Sequence, residues 1–222
     1  MYKCLKIISF ALLIGCATWS CSNNAKRIKN VELISANAEE VECSCPHCRI
    51  LIQPYNNFSQ VKAQEVAKQL VQAINKHMTG LAVTEVKVLT NKPLTKDLMN
   101  DAKTRYRARM ILDSQSSVLK QSGDVIIGLT HNDISTTLRG HADWGILGLS
   151  YLNRNNCVIS TFRVKDQSQF WKVVLHEFGH GFLGLPHCPK NDRSCFMVDA
   201  NGKPSLSPQH HFCDSCSRRI PE

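Results

Sequence analysis

Apolar and polar positions along the chain fall into segments with distinct periods. In "RILIQPY", at 49 to 55, a short apolar run reads as a first strand, closed by Pro54 and the Asn56, Asn57 pair. Ser59 is placed to cap a helix from Gln60 to about Met78, with Val61, Val66, Leu70, Val71 and Ile74 near one face. "TEVKVLT", at 84 to 90, alternates as a strand does. After Pro93, Thr95 is expected to cap a long helix running through Leu98, Ala102, Tyr106, Met110 and Leu112. "DVIIGLT", at 124 to 130, is continuously apolar and rich in β-branched residues, the pattern of a strand buried on both faces. "DWGILGLSYL", at 143 to 152, gives a glycine-broken edge or loop, and "CVISTF", at 157 to 162, a fourth strand.

Strands and helices therefore alternate over the first two thirds, which predicts a mixed α/β (α+β) domain with helices packed on a twisted sheet. Its last helix is expected to be capped by Ser168, to bury Phe170, Val173, Val174 and Leu175, and to carry His176, Glu177 and His180. The chain has 222 residues, enough for one sizeable domain behind a leader. Residues 1–15 read as a signal peptide: Lys3 and Lys6 precede an apolar run from Ile7 to Ile14 that is too short to span a bilayer. The sequence Leu13, Ile14, Gly15, Cys16 resembles a bacterial lipobox, so Cys16 is the expected lipidation site, with Cys21 the alternative. Residues 16–46 then form a polar tether with a cysteine cluster, and 47–222 the folded domain. An exported, envelope-located protein held to the membrane by its N-terminal lipid, on the periplasmic or cell-surface side, is the expectation.

Formal charge is +9, and losing Lys3 and Lys6 with the leader leaves +7. The basic residues are dispersed, without interleaved aromatics, which argues for a solvated surface and against nucleic-acid binding. A monomer is expected.

Eleven cysteines are distributed unevenly. "CPHC", at 45 to 48, matches a disulfide-oxidoreductase form, but such a motif should lie between a strand and a helix. Here it leads straight into a strand, so Cys43, Cys45 and Cys48 read as a local disulfide or metal contact. Asp133 reads as a loop-capping carboxylate and Cys157 as a buried small apolar side chain.

The richest stretch is "HEFGHGFLGLPHC", His176 to Cys188. Residues four apart share one helix face, so His176 and His180 can reach one metal ion, while Glu177 falls on its flank as a general base. After Glu177 the only glutamate is Glu222, which makes His187 the natural third ligand; His210 and His211 remain as substitutes. Gly184 can end the helix and Pro186 keeps it from resuming.

These residues, in order, resemble a metzincin and, within that clan, an archaemetzincin: His176, Glu177, His180, Gly184, His187 and Cys188, then Cys195, Met197 and the pair Cys213 and Cys216. Similarity extends through "VIIGLTHNDIS" and "NCVISTFRV". The resemblance implies a zinc metallopeptidase hydrolysing peptide bonds in peptide or protein substrates, its upper part spanning 47–183 and its lower part 184–222. It implies two zinc ions. One would be catalytic, on His176, His180 and His187, with a zinc-held water activated by Glu177. The other would be structural, on Cys188, Cys195, Cys213 and Cys216, and Met197 would form a packing turn beneath the catalytic ion. Two disulfides, Cys188 with Cys195 and Cys213 with Cys216, are the alternative for an exported chain. A zinc-binding module that keeps the fold but turns over nothing is the alternative to an enzyme. Three residues rather than two separate His180 from Gly184, so the helix must lengthen or bulge to deliver His187.

Overall fold

A computed structural model describes residues 47–119, 121–200 and 205–221. The expected leader, the lipidation sites Cys16 and Cys21, and Cys43 and Cys45 lie outside the described residues. Among the described residues no helix is long and apolar enough to cross a membrane.

The central sheet has the strand order β2-β1-β4-β8-β7, where β1 is His47–Pro54, β2 Ala82–Val88, β4 Asp124–Thr130, β7 Gly148–Ser150 and β8 Asn156–Ser160. Its first four strands are parallel and β7 runs antiparallel at one edge. The apolar run "DVIIGLT" is β4, buried along its whole length between β1 and β8, as a strand covered on both faces requires. A second sheet of order β3-β5-β6 joins Tyr106–Arg107, Ile134–Leu138 and His141–Ile146.

Helix α1, Gln60–His77, is capped by the Ser59 hydroxyl, which accepts from the Lys62 N–H at 3.4 Å. It buries Ala63, Val66, Ala67, Leu70, Ala73 and Ile74; Val61, expected on that face, points to solvent instead. One face of the sheet packs on α1 and on α3, Phe170–Gly181, through Ile50, Ile52, Ile127 and Ile159. The other receives α2, Ala108–Gln115, against Tyr55, Val158 and Ile134. Because side chains alternate along a strand, Cys157 and Ile159 face the first cluster and Val158 the second.

Two local expectations are corrected. The long helix after Thr95 is replaced by a single 3₁₀ turn at Lys96–Leu98, an irregular loop, β3 and the eight-residue α2. Asn100 explains the break, since its side-chain oxygen accepts from the N–H groups of Thr104 and Arg105 in competition with helical bonding. Lys103 adopts φ 53° there, and Arg105 is drawn away to Asp133 at 2.8 Å and Asp143 at 3.0 Å. Asp133 is thus no loop cap but an ion-pair hub, bound also by Arg163 at 2.7 Å. Ser168 does not cap α3: the N-cap position is Gln169, which makes no side-chain cap bond, and Asp166 caps the preceding 3₁₀ turn, Gln167–Gln169, accepting from the Ser168 N–H at 3.0 Å.

Among the described residues beyond α3 the one regular element is α4, Asp214–Ser217. Phe196, Met197, Phe212 and Ile220 nevertheless join the same apolar cluster as α1 and α3.

Candidate metal centre

His176 and His180 project from α3 one turn apart, and their Nε2 atoms lie 3.0 Å from each other. Each ring is fixed from behind. His176 Nδ1 lies 2.7 Å from the Phe196 carbonyl, and His180 Nδ1 pairs with the Leu185 carbonyl. A carbonyl only accepts, so both Nδ1 atoms carry the proton and both Nε2 atoms present lone pairs. Two lone pairs held face to face at this distance repel unless a cation sits between them. Burial, first, and the neighbouring histidine push the His176 pKa down to about 3; burial pushes His180 down to about 4. Both imidazoles are therefore neutral, the form that binds metal.

The added residue before Gly184 is absorbed at the helix end. The Gly184 N–H bonds the His180 carbonyl at 3.2 Å, and the Leu185 N–H reaches one residue further back, to Gly179, at 3.0 Å. Gly184 has φ 62°, a conformation that favours glycine, and a side chain there would also collide with Asn153. The turn brings His187 to ring-centroid distances of 5.4 Å from His176 and 4.8 Å from His180. One nitrogen from each of the three rings falls within 4.8 Å of the others. About 3.3 Å separates ligand nitrogens in a tetrahedral zinc site, so small rotamer adjustments of the exposed His187 complete the set. His210 and His211 are elsewhere: His210 Nδ1 pairs with the Pro208 carbonyl, and His211 faces Asp192 at 3.8 Å.

Glu177 is buried, and burial raises its carboxyl pKa to about 8 in the metal-free chain. It abuts the edge strand so closely that a Cβ on Gly148 would lie 2.8 Å from its Oε1. Met197 is fully buried beneath the helix, where a Cβ on Gly179 would stand 2.9 Å from its Sδ. Sequence reasoning missed both glycines. Gly179 occupies an interior position of the histidine motif, which offers a weak cue; Gly148 offers none.

Cys188, Cys195, Cys213 and Cys216 form the second cluster, each buried and none in a disulfide, contrary to the alternative pairing. Their sulfurs all lie within 4.8 Å of one another, and Cys188 and Cys213 approach to 3.5 Å. About 3.8 Å separates thiolates around a tetrahedral zinc. The Cys195 sulfur accepts from the N–H groups of Met197 and Cys213, both at 3.4 Å, a pattern that suits a thiolate. Burial lifts the Cys195 thiol to about 11. The two clusters share a scaffold: Cys188 follows His187 directly, and its N–H bonds the Met197 carbonyl at 2.7 Å. Cys48 is separate, fully buried in β1 with its thiol pushed up to about 12, which suits packing rather than redox chemistry. Cys157 is likewise fully buried.

The three histidines and Glu177 open onto a cleft of 780 Å³ bounded by β7 on one side and by Val198 to Ala200 on the other. A mixed sheet with an HExxH helix, a histidine just past a glycine turn and a methionine beneath defines the zinc metallopeptidase class.

No family model matches the chain. Over 151 residues it is 29% identical to an archaemetzincin of Halobacterium salinarum, covering 61% of this chain and 83% of that relative. An archaemetzincin structure from Methanopyrus kandleri superimposes with a TM-score of 0.61 at 21% identity, over 78% of this chain and 93% of the other. One from Archaeoglobus fulgidus, in complex with malonate, gives 0.57 at 25% identity, over 78% and 99%. The chain is archaemetzincin-like in both sequence and fold.

Proposed function

We propose that this archaemetzincin-like metallopeptidase hydrolyses peptide bonds with Glu177 as general base and then general acid. His176, His180 and His187 hold a catalytic zinc, and Cys188, Cys195, Cys213 and Cys216 hold a structural one. The observation that carries the reading is the convergence of two protonation-fixed Nε2 lone pairs, with His187 beside them, next to a buried carboxylate at the wall of a cleft. When bound at the histidines, zinc supplies a Lewis acid for the scissile carbonyl and acidifies water.

The remaining work falls to the chain's own groups. Edge strand β7 pairs only with β8, so its outer side is open to an extended peptide, whose main chain can add as a further strand. That places the peptide alongside Gly148, which leaves room for the Glu177 carboxylate beside the scissile bond. Glu177 takes a proton from the attacking water and delivers it to the leaving amine. Phe196 and Leu185 hold the two helical imidazoles by their Nδ1 protons throughout, so the rings need no reorganisation.

The inactive zinc-binding module rested on displacement of His187 by the added residue. With the helix end absorbing that residue, no observation favours it. Export with a lipid on Cys16, and a monomeric envelope protein, complete the proposal; fatty-acid labelling that survives Cys16→Ser would reject Cys16 as the anchor site, and no labelling of the native chain would reject the anchor.

The activity is tested by profiling a peptide library with the zinc-loaded chain and its Glu177→Gln variant. Cleavage by the native chain, reduced about 10²- to 10⁴-fold in the variant with zinc content unchanged, is the expected result. Equal cleavage by both proteins, or none by the native chain, contradicts it.

A further inference from the structure

Lys172 lies on α3 four residues ahead of His176, hence one turn away on the same face, and it lines the same cleft. Its side chain is only 8% exposed. An ammonium carries three donors, and one of them is directed at the Leu206 carbonyl at 2.9 Å. Trp171 adds a ring face at 5.8 Å. Asp166 is the nearby acid and acts on Lys172 electrostatically, while its Oδ1 accepts from the Ser168 N–H at 3.0 Å and hydroxyl at 2.6 Å. Burial depresses the Lys172 pKa, so the charge is held at a cost there.

Two further bases border this end of the cleft, and Asp166 joins them in the cavity beside it. Arg163 and Lys165 line the cleft and also line that adjoining cavity of 190 Å³ floored by Leu147 and Leu206. Arg163 is aimed by two bonds to Asp133, at 2.8 and 2.7 Å. The opposite end differs. Leu152 is a large apolar side chain exposed to the cleft, and the neighbouring Asn153 N–H bonds the His180 carbonyl, which fixes that end at the C-terminus of α3. The two sides of the histidines thus differ, with Lys172 on one side and Leu152 on the other.

We propose that Lys172 makes the cleft selective for peptides bearing a carboxylate close to the scissile bond, on one side of it only. This rests on the hydrolase reading above and names the substrate class of that site. A substrate carboxylate gives the buried ammonium the charge-assisted partner that a single carbonyl does not. Four helical residues span about 6 Å and an extended peptide rises about 3.3 Å per residue, so the selected position is within two residues of the cleaved bond. Side-chain carboxylates of Asp or Glu and a free chain terminus offer the same chemistry.

The test compares kcat/KM of the zinc-loaded native chain, Lys172→Met and Lys172→Glu on matched peptides: Asp against Asn and Glu against Gln at each nearby position, and free against amidated C-termini. The same pairs are titrated by fluorescence anisotropy onto Glu177→Gln, with and without Lys172→Met, as a readout independent of turnover. The expected result is a preference of tenfold or more for the carboxylate on one side only, falling to about one in Lys172→Met and turning towards lysine-bearing peptides in Lys172→Glu. If the lysine merely ties Leu206 to the helix, the ratio survives its replacement, and that overturns the inference. So does a native ratio within about twofold of one in both assays. An absence of cleavage rejects the hydrolase reading, while the anisotropy pairs still decide whether the cleft selects a carboxylate. A preference confined to free termini assigns the carboxylate to the chain end, and one seen internally assigns it to Asp or Glu.

Discussion

At the scale of single residues, two glycines, Gly148 and Gly179, matter as much as the groups that carry the chemistry. Gly148 leaves the Glu177 carboxylate the volume it occupies, since an added Cβ would fall 2.7 Å from its Cγ. Both atoms lie on constrained elements, an edge strand and a helix interior, so neither yields freely. Gly148→Ala is therefore expected to lower kcat/KM at least tenfold while zinc content stays at the native level, which metal analysis beside peptide kinetics would check. Native-like kinetics in that variant would mean that Glu177 is not held where the account requires it. His176, Glu177, His180, His187 and the four tail cysteines are legible in the sequence, because their spacing along the chain reflects how ligands meet one ion. Gly148 and Lys172 are not, because what they touch is 29 and 34 residues distant, on Glu177 and on Leu206.

Among the elements, the short tail does the work of a third layer. It supplies Phe196, whose carbonyl orients His176, and Met197, which packs under the same helix, yet its only helix has four residues. Four buried cysteines lie together in this segment, so a metal held there would be coupled to the three histidines through a shared backbone. Cys213→Ala is expected to cost the tail its zinc, lower the melting temperature by about ten degrees, on the order of 2.5–5 kcal/mol for a chain of this size, and weaken zinc binding at the histidines. Calorimetry with zinc titration reads both effects; a variant that melts as the native chain does would leave the cysteine cluster without a structural role. The elements themselves are unequally legible. "DVIIGLT" and the Ser59-capped helix follow from local pattern, because burial on both faces and on one stripe leave different periods. The helix expected after Thr95 fails because Asn100 bonds its own neighbours and Arg105 answers to Asp133 and Asp143, 28 and 38 residues away. Strand β5 escapes sequence reasoning for a related reason, its Thr136, Thr137 and Leu138 lacking alternation that a half-buried strand would show.

For the whole molecule, the sheet, the HExxH helix and the stapled tail form one apolar cluster, with the cleft along the open edge of β7. The helix terminus accommodates one residue more than the archaemetzincin spacing and still delivers His187 to the other two rings. The central claim is that the molecule holds two zinc ions, one of them on the three histidines. Zinc per chain, measured by elemental mass spectrometry on the native protein and on His187→Ala, tests it most directly. The account predicts two ions in the native chain and one in the variant, with the cysteine site still filled. One ion in the native chain, or full occupancy in the variant, would contradict it.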